Sequence, residues 1–339
     1  MENKDWEYFG FKNTKKEDKK VFVALSADYG NIGDMGITLA QLKILKDILP
    51  ERKIIEIPMY STYECEKEIK KILNNDDICT IIGGGNFGNI YLVCEERRRF
   101  ILELFKNNKI ITFPQSICFL NTKEGQVELQ KSIDIYKAHK DLTILTREQT
   151  SYDITKSNFK NSVELVPDIV FYLKDKLNYA QPNIRKNISI CFRNDKEKSI
   201  DSDTAENLSK LFSLNNLGDT KLISTHIGDV AVHPNKRTEI FEDCLNNFIN
   251  SKVVITDRLH GLIFSIITNT PCIAFDNTNK KISSTYNTWL KNIPLIKFME
   301  NYDEKLVLKY VKEFSNIKNP KIELSKNINF NKIFELLQN

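Results

Sequence analysis

The sequence predicts an α/β protein of two Rossmann-like domains, each a parallel sheet covered by helices, with the two sheets facing a cleft. Three observations carry this. Short β-branched apolar runs alternate with longer amphipathic stretches. The runs are apolar throughout rather than alternating, as expected of strands with helices on both faces. The chain has 339 residues, more than one core usually serves.

In the first half the strand runs are VFVALSA (21–27), KIIEIPM (53–59), CTIIGGG (79–85), KIITFPQS (109–116), LTILTRE (142–148) and VELVPD (163–168). Between them, ITLAQLKILKDIL (37–49) and EERRRFILELFKN (95–107) space their apolar residues by three and four, the helical period. The pattern lapses over the polar, proline-bearing stretch 174–187. It resumes with ISICFRND (188–195), TKLISTH (220–226), KVVITDR (252–258) and PCIAFDN (271–277). The expected division is therefore a domain over 1–175, a linker over 176–187 and a domain over 188–339.

The composition excludes several functions. A net charge of +4 with lysines scattered among acids makes no nucleic-acid stripe. The N-terminus lacks the apolar centre of a signal peptide, and no stretch approaches the roughly 20 apolar residues that span a bilayer. Seven scattered cysteines without a CxxC read as reduced, buried thiols of a cytoplasmic protein. There is no HExxH, GxSxG or Cys/His cluster, so metal-dependent and serine hydrolase chemistry have no support.

The polar residues that stand out fall at strand ends, where open α/β sheets bind ligands. In VVITDRLHGLIFSIITN, Asp257, Arg258 and His260 interrupt an apolar run at the turn from strand to helix. A helix N-terminus there favours an anion, the arginine adds a charged fork, and the histidine adds a donor or a mobile proton. Gly261 lets backbone approach. An Arg258–Asp257 pair with His260 in the core explains the same residues equally well. Arg193 and His226 end neighbouring strands, so Arg193, His226, Arg258 and His260 together suggest a pocket for a small, multiply charged anion. In the first domain, ADYGNIGDMGIT (27–38) and IIGGGNFGN (81–89) are glycine-rich strand-to-helix turns. Neither is GxGxxG nor GxxxxGK[ST]. Asn31, Asp34 and Asn86 suit sugar hydroxyls, and Gln115, Arg147 and Glu148 sit at further strand ends. Plain turn chemistry accounts for each glycine loop taken singly.

Taken together and in order, GNIGDMGIT, IIGGGNFGN, FPQSI, TREQTSYD, VPDIVF, CFRNDKEK and the block from VVITDRLHG to STYNTWL resemble the polysaccharide pyruvyl transferase family, over about residues 21–292. The DRLHG, TPCIAFDN and K-x-x-x-x-Y-x-x-W-L succession is the specific part. The resemblance implies a fold like that of B-type glycosyltransferases. It also implies transfer of the enolpyruvyl carbons of phosphoenolpyruvate onto two hydroxyls of one sugar, giving a cyclic ketal in a capsule or exopolysaccharide unit. The family's donor-binding Arg and His fall on Arg258 and His260, with Arg193 matching a further arginine; Lys281 opens the last run and joins the donor set with His226. Catalysis is expected from His260, Asp34 and Arg258, and the acceptor side from Asn31, Asp34, Asn86, Gln115, Arg147 and Glu148. The scheme calls for no metal and no cofactor beyond phosphoenolpyruvate as co-substrate. Acceptors in the family are often lipid-linked, which implies peripheral docking at the inner membrane face. The rival readings are a nucleotide-sugar glycosyltransferase, which needs a carboxylate gripping ribose that no residue supplies in a matching context, Asp276 and Glu239 being left open, and a non-catalytic anion- or sugar-binding protein.

Overall fold

The computed structural model describes residues 7–177, 182, 184–194, 200–201 and 203–339. Fourteen strands are formed among them: β1 (Lys20–Ser26), β2 (Tyr29–Asn31), β3 (Lys53–Pro58), β4 (Ile78–Ile81), β5 (Gly84–Phe87), β6 (Lys109–Ile117), β7 (Leu142–Thr146), β8 (Ser162–Leu165), β9 (Asn187–Cys191), β10 (Thr220–Leu222), β11 (His226–Ala231), β12 (Ser251–Thr256), β13 (Cys272–Phe275) and β14 (Ile296–Met299). The chain divides into two compact units. The first comprises residues 1–172, 228–238 and 329–339, the second residues 173–227 and 239–328. The division thus differs from the expected one over 1–175, 176–187 and 188–339. Two segments from the C-terminal half belong to the first unit, and residues 178–181 and 183 of the expected linker lie outside the described residues.

The first unit holds a parallel sheet in the order β3-β1-β4-β6-β7-β8, with β5 paired to β6. Strands β1 and β4 are buried along their whole length, which is why their runs are continuously apolar. Pro114 sits inside β6, and the ladder to β7 shifts register between Thr112 and Gln115, where a proline cannot donate. Segment 228–238 joins this unit through named bonds. The Val232 amide donates to Asp28 O at 2.8 Å. Arg237 donates through Nε to Ala27 O and through Nη1 to Glu56 Oε2, both at 2.9 Å.

The second unit holds a parallel sheet in the order β10-β9-β12-β13-β14. Ile188, Ile190, Val253, Ile255 and Ile273 of its central strands pack with Leu208, Phe212, Val307, Val311 and Phe314 from helices Thr204–Leu214 and Glu304–Ser315. The expected strand over 220–226 is two elements. Only Thr220–Leu222 pairs with β9, and His226 opens β11, which pairs with β2. Five of the seven cysteines are buried, with Cys94 and Cys118 half-buried. Among the described residues no helix is long and apolar enough to cross a membrane.

Candidate functional site: two switch points

In open parallel sheets ligands bind beyond the carboxyl ends of the strands, at the place where strand order reverses. In the second unit the chain steps from β9 outward to β10 and then returns to β12 on the other side, so the reversal lies between β9 and β12. Arg193 follows β9 and Asp257–His260 follow β12. Asp257 is wholly buried and ties the two loops: its Oδ1 accepts the Arg193 amide at 2.7 Å. Burial pushes its carboxyl above the usual range, against the Arg193 amide and the charges of Arg258 and Arg193.

Arg258 is the N-cap of helix Leu259–Ile267, with extended backbone. Its amide donates to Thr256 Oγ1 at 3.0 Å, and the Thr256 hydroxyl donates to Cys191 O at 2.7 Å. The half-buried guanidinium donates through Nε to Phe192 O at 3.3 Å and has no carboxylate within ion-pair distance among the described residues. The alternative of an Arg258–Asp257 pair is therefore not what forms. The helix directs its first-turn amides and positive dipole end to the same place. His260 lies in that turn, half-buried, its ring centroid 5.8 Å from that of Phe264. Gly261 has a different reason from the one expected: a Cβ there would stand 2.3 Å from Thr256 Oγ1. Its absence lets the helix pack on the strand end rather than admitting a ligand.

The remaining expected donor contacts fall off this switch point. His226 is not at the end of β10; its amide donates to Ser224 Oγ at 3.0 Å and its carbonyl accepts the Ser224 hydroxyl at 2.8 Å. Lys281 lies beyond β13, one strand over, nine-tenths buried, with its amide on Asn277 Oδ1 at 3.3 Å. Asp276 uses Oδ1 as a turn cap for the Asn277 and Ser283 amides, and Glu239 is exposed on helix Pro234–Ile249.

In the first unit the same reversal occurs between β1 and β4, with β3 on the outer side of β1. Leu25, at φ 64°, makes a register slip in β1 just before its end. Asn31 is committed to capping helix Ile32–Ile48, its Oδ1 accepting the amides of Gly33 at 3.0 Å and Asp34 at 3.4 Å. The cap engages Oδ1 alone, and Asn31 is partly exposed. Asp34 accepts the Tyr29 hydroxyl on Oδ2 at 2.9 Å. A Cβ on Gly84 would stand 3.3 Å from Asp34 Oδ1, and Gly84 adopts φ 118°, open in practice to glycine alone. Asp34 and the glycine loop thus meet at the switch point.

Four expected acceptor-side residues, Gln115, Arg147, Glu148 and Asn86, are buried and bonded within the unit, and Asp34 is itself only 9% exposed. Gln115 is fully buried, with Nε2 on Ile82 O. Arg147 donates to Ser116 Oγ and Asp168 Oδ2, each at 2.7 Å, and Glu148 accepts the hydroxyls of Ser116 and Ser151. Asn86 is held on Oδ1 by Arg98 Nη2 at 2.6 Å. Arg98, fully buried, was not singled out from sequence. It pairs with buried Glu95, reaches Asn86 O and Gln115 Oε1, and lies over the Phe87 ring at 5.1 Å. Arg98→Ala should cost roughly 3–5 kcal/mol by stranding the Glu95 charge, lowering the melting temperature by roughly 10 °C. Thermal unfolding checks this. Replacing Glu95 by Gln in the same chain should recover part of the loss, and an unchanged melting temperature would show that the network is not structural.

A second group missed from sequence is Asp28, the first residue past β1's apolar run. It accepts the Tyr60 amide on both oxygens, at 3.2 and 3.0 Å. Burial raises its carboxyl to about 6, against the Tyr60 amide, its own backbone amide and the charges of Arg237 and Arg97. An acid raised from 3.8 to about 6 carries a folded-state cost of roughly 3 kcal/mol when ionised. That cost appears as pH rises from 3.8 to 6 and is absent below. Asp28→Asn should therefore raise the melting temperature by several degrees at pH 7.5 and leave it unchanged near pH 4, as scanning calorimetry at both values will measure.

Comparison with known proteins bears on the family and the fold. The chain is 36% identical over 313 residues to General stress protein 30 of Bacillus subtilis (strain 168), covering 91% of this chain and 89% of that protein. It is 30% identical over 293 residues to Pyruvyl transferase 1 of Schizosaccharomyces pombe, covering 82% and 71%. Among solved structures, a functionally uncharacterised protein of Klebsiella pneumoniae subsp. pneumoniae superposes with a TM-score of 0.55 at 20% identity, covering 84% of this chain and 94% of that one. At that identity the likeness is one of fold, and each unit taken by itself is a Rossmann-like parallel sheet with helices. Residues 31–279 match the family described as polysaccharide pyruvyl transferase, and they span both switch points, so the chain belongs to that family.

Proposed function

We propose that the enzyme transfers a pyruvyl group from phosphoenolpyruvate to two hydroxyls of a sugar in a surface polysaccharide precursor, forming a cyclic ketal and releasing phosphate. The observation that carries this reading is Arg258, half-buried at a switch point and a helix N-terminus without a carboxylate partner among the described residues. Phosphoenolpyruvate carries a carboxylate and a phosphate, and a cationic fork at a helix N-terminus suits either. In the scheme a proton adds to C3, turning the methylene into a methyl and leaving C2 electrophilic. One sugar hydroxyl adds to C2 and gives up its proton. The second hydroxyl then displaces phosphate, which departs with the electron pair of the broken C2–O bond and takes up the proton that this hydroxyl gives up. Arg258 and the helix amides stabilise the charge that gathers on the leaving phosphate, and His260 supplies the mobile proton. In the first unit, Asp34 is the group that holds an acceptor hydroxyl.

The test incubates the protein with a sugar acceptor and either phosphoenolpyruvate or UDP-sugars. The expected result is phosphate release with a product heavier than the acceptor by pyruvate less water. A glycosylated product from a UDP-sugar overturns the reading. The use of Asp276 Oδ1 as a turn cap weighs against its serving as a ribose ligand.

A further inference from the structure

The strand ends of β13 and β14 lie outside the switch point of the second unit and carry different chemistry. A cavity of about 560 Å³ opens there, within the roughly 300–1,000 Å³ usual for small-molecule sites. Its polar lining includes Asp201, Asp276, Asn277, Glu300, Asn301 and Tyr302, and its only cation among the described lining residues is Lys280. Three carboxylates against one ammonium repel a phosphate or a carboxylate, so this is no extension of the anion site at Arg258. Among the described residues no group of three or more His, Cys, Asp or Glu could hold a metal ion, so the acids are dispersed around the wall rather than converged. With Asp276 Oδ1 already capping its turn, the carboxylates of Asp201 and Glu300 are the acceptors for hydroxyl donors.

The second, independent observation is Asn277. It is 3% exposed and lines the cavity; its Oδ1 receives the Lys281 amide, while its buried Nδ2 has no partner among the described residues. A buried donor left in this way costs free energy until an acceptor arrives. Tyr302, 41% exposed, stands beside Phe275 with ring centroids 5.9 Å apart and presents an aromatic wall. Acceptors, a waiting donor and an aromatic face are together the complement of a neutral polyhydroxylated ring with an apolar C–H face.

We propose that the β13–β14 cavity binds a neutral hexose ring of the glycan acceptor, next to the strand ends that take the anionic donor. The inference rests on the pyruvyl-transfer reading for its word "acceptor", but its site is tested by binding alone. The full chain is mixed with methyl β-glycosides of galactose, glucose, mannose and N-acetylglucosamine, and saturation-transfer NMR reads contact, with uridine as a competitor. At least one glycoside should receive saturation. Tyr302→Ala should weaken that glycoside by about tenfold, and Glu300→Gln should weaken it as well. Calorimetric binding of phosphoenolpyruvate should stay unchanged in both variants.

Silence from every glycoside, or transfer undiminished in both variants, overturns the proposal. So does a loss of phosphoenolpyruvate binding in either variant, which would make the cavity a donor site. Displacement of the glycoside by uridine at lower concentration overturns it in favour of a nucleoside site. If no phosphate is ever released from phosphoenolpyruvate while glycoside binding persists and both variants lose it, the site stands and the pyruvyl-transfer reading falls.

Discussion

Arg258→Ala should lower turnover by at least about a hundredfold, the scale of removing one preorganised charge-stabilising donor. Its melting temperature should stay within a few degrees of the parent. Both halves follow from the surroundings of the residue. The guanidinium has no carboxylate partner among the described residues, only the Phe192 carbonyl. Removing it breaks no ion pair among the described residues, unlike removal of Arg98 from Glu95, and withdraws only one of the two arginine charges that hold buried Asp257 down. The neighbouring Asp257 stays tied to the Arg193 amide. Arg258→Lys keeps the charge and loses the planar fork, so it should fall between the two. Steady-state phosphate release and thermal unfolding on the same preparations check the pair. Surviving activity with collapsed stability would make Arg258 a structural residue.

His260→Gln should weaken phosphoenolpyruvate binding only modestly while turnover falls by roughly 10²–10⁴-fold, the span of general acid–base contributions. The helix end where His260 sits disfavours a positive charge with about half a unit of its own. A bound phosphate carries full charges and outweighs it, so the imidazolium form is expected in the complex. Glutamine keeps a donor near the anion and cannot carry a mobile proton. The separation of binding from turnover is therefore the signature. Calorimetric titration of the donor and single-turnover kinetics measure the two halves. A Gln variant with near-normal turnover would leave the anion site to the arginines and the helix.

The central strands and the second switch point were legible because the physics that builds them is local. Continuous apolar runs mark strands covered on both faces, and a charged triplet between such a run and a helix can only be a strand end. Strand β5 was not legible, since GGNF has no strand propensity and pairs only because β6 lies alongside. The run over 220–226 misled because β-branched Ile223 and Thr225 continue the strand-like pattern, although the ladder to β9 ends at Leu222. Strand-end logic also placed Gln115, Arg147 and Glu148 correctly along the chain but not in depth. Their burial depends on Ser116, Ser151 and Asp168, brought together only by the sheet. Arg98 hid in EERRRF, a stretch whose charge density reads as a solvated helix face until Glu95 and Asn86 are seen around it. Asp28 was passed over because a single acid after a strand has no spacing to mark it, and its perturbation comes from burial.

Residues 329–339 belong to the first unit: Phe330 meets Tyr172 edge-on at 5.4 Å, and Ile333 and Leu337 are buried. A ribosome delivers a chain in order, so these side chains arrive after every residue of the second unit. The older part of the nascent chain must wait with an apolar seat unfilled, while the younger part already has all its own core. Completion of the first unit thus waits on the last residues to be synthesised. Until then, exposed apolar surface on the first unit invites aggregation or a chaperone's grip.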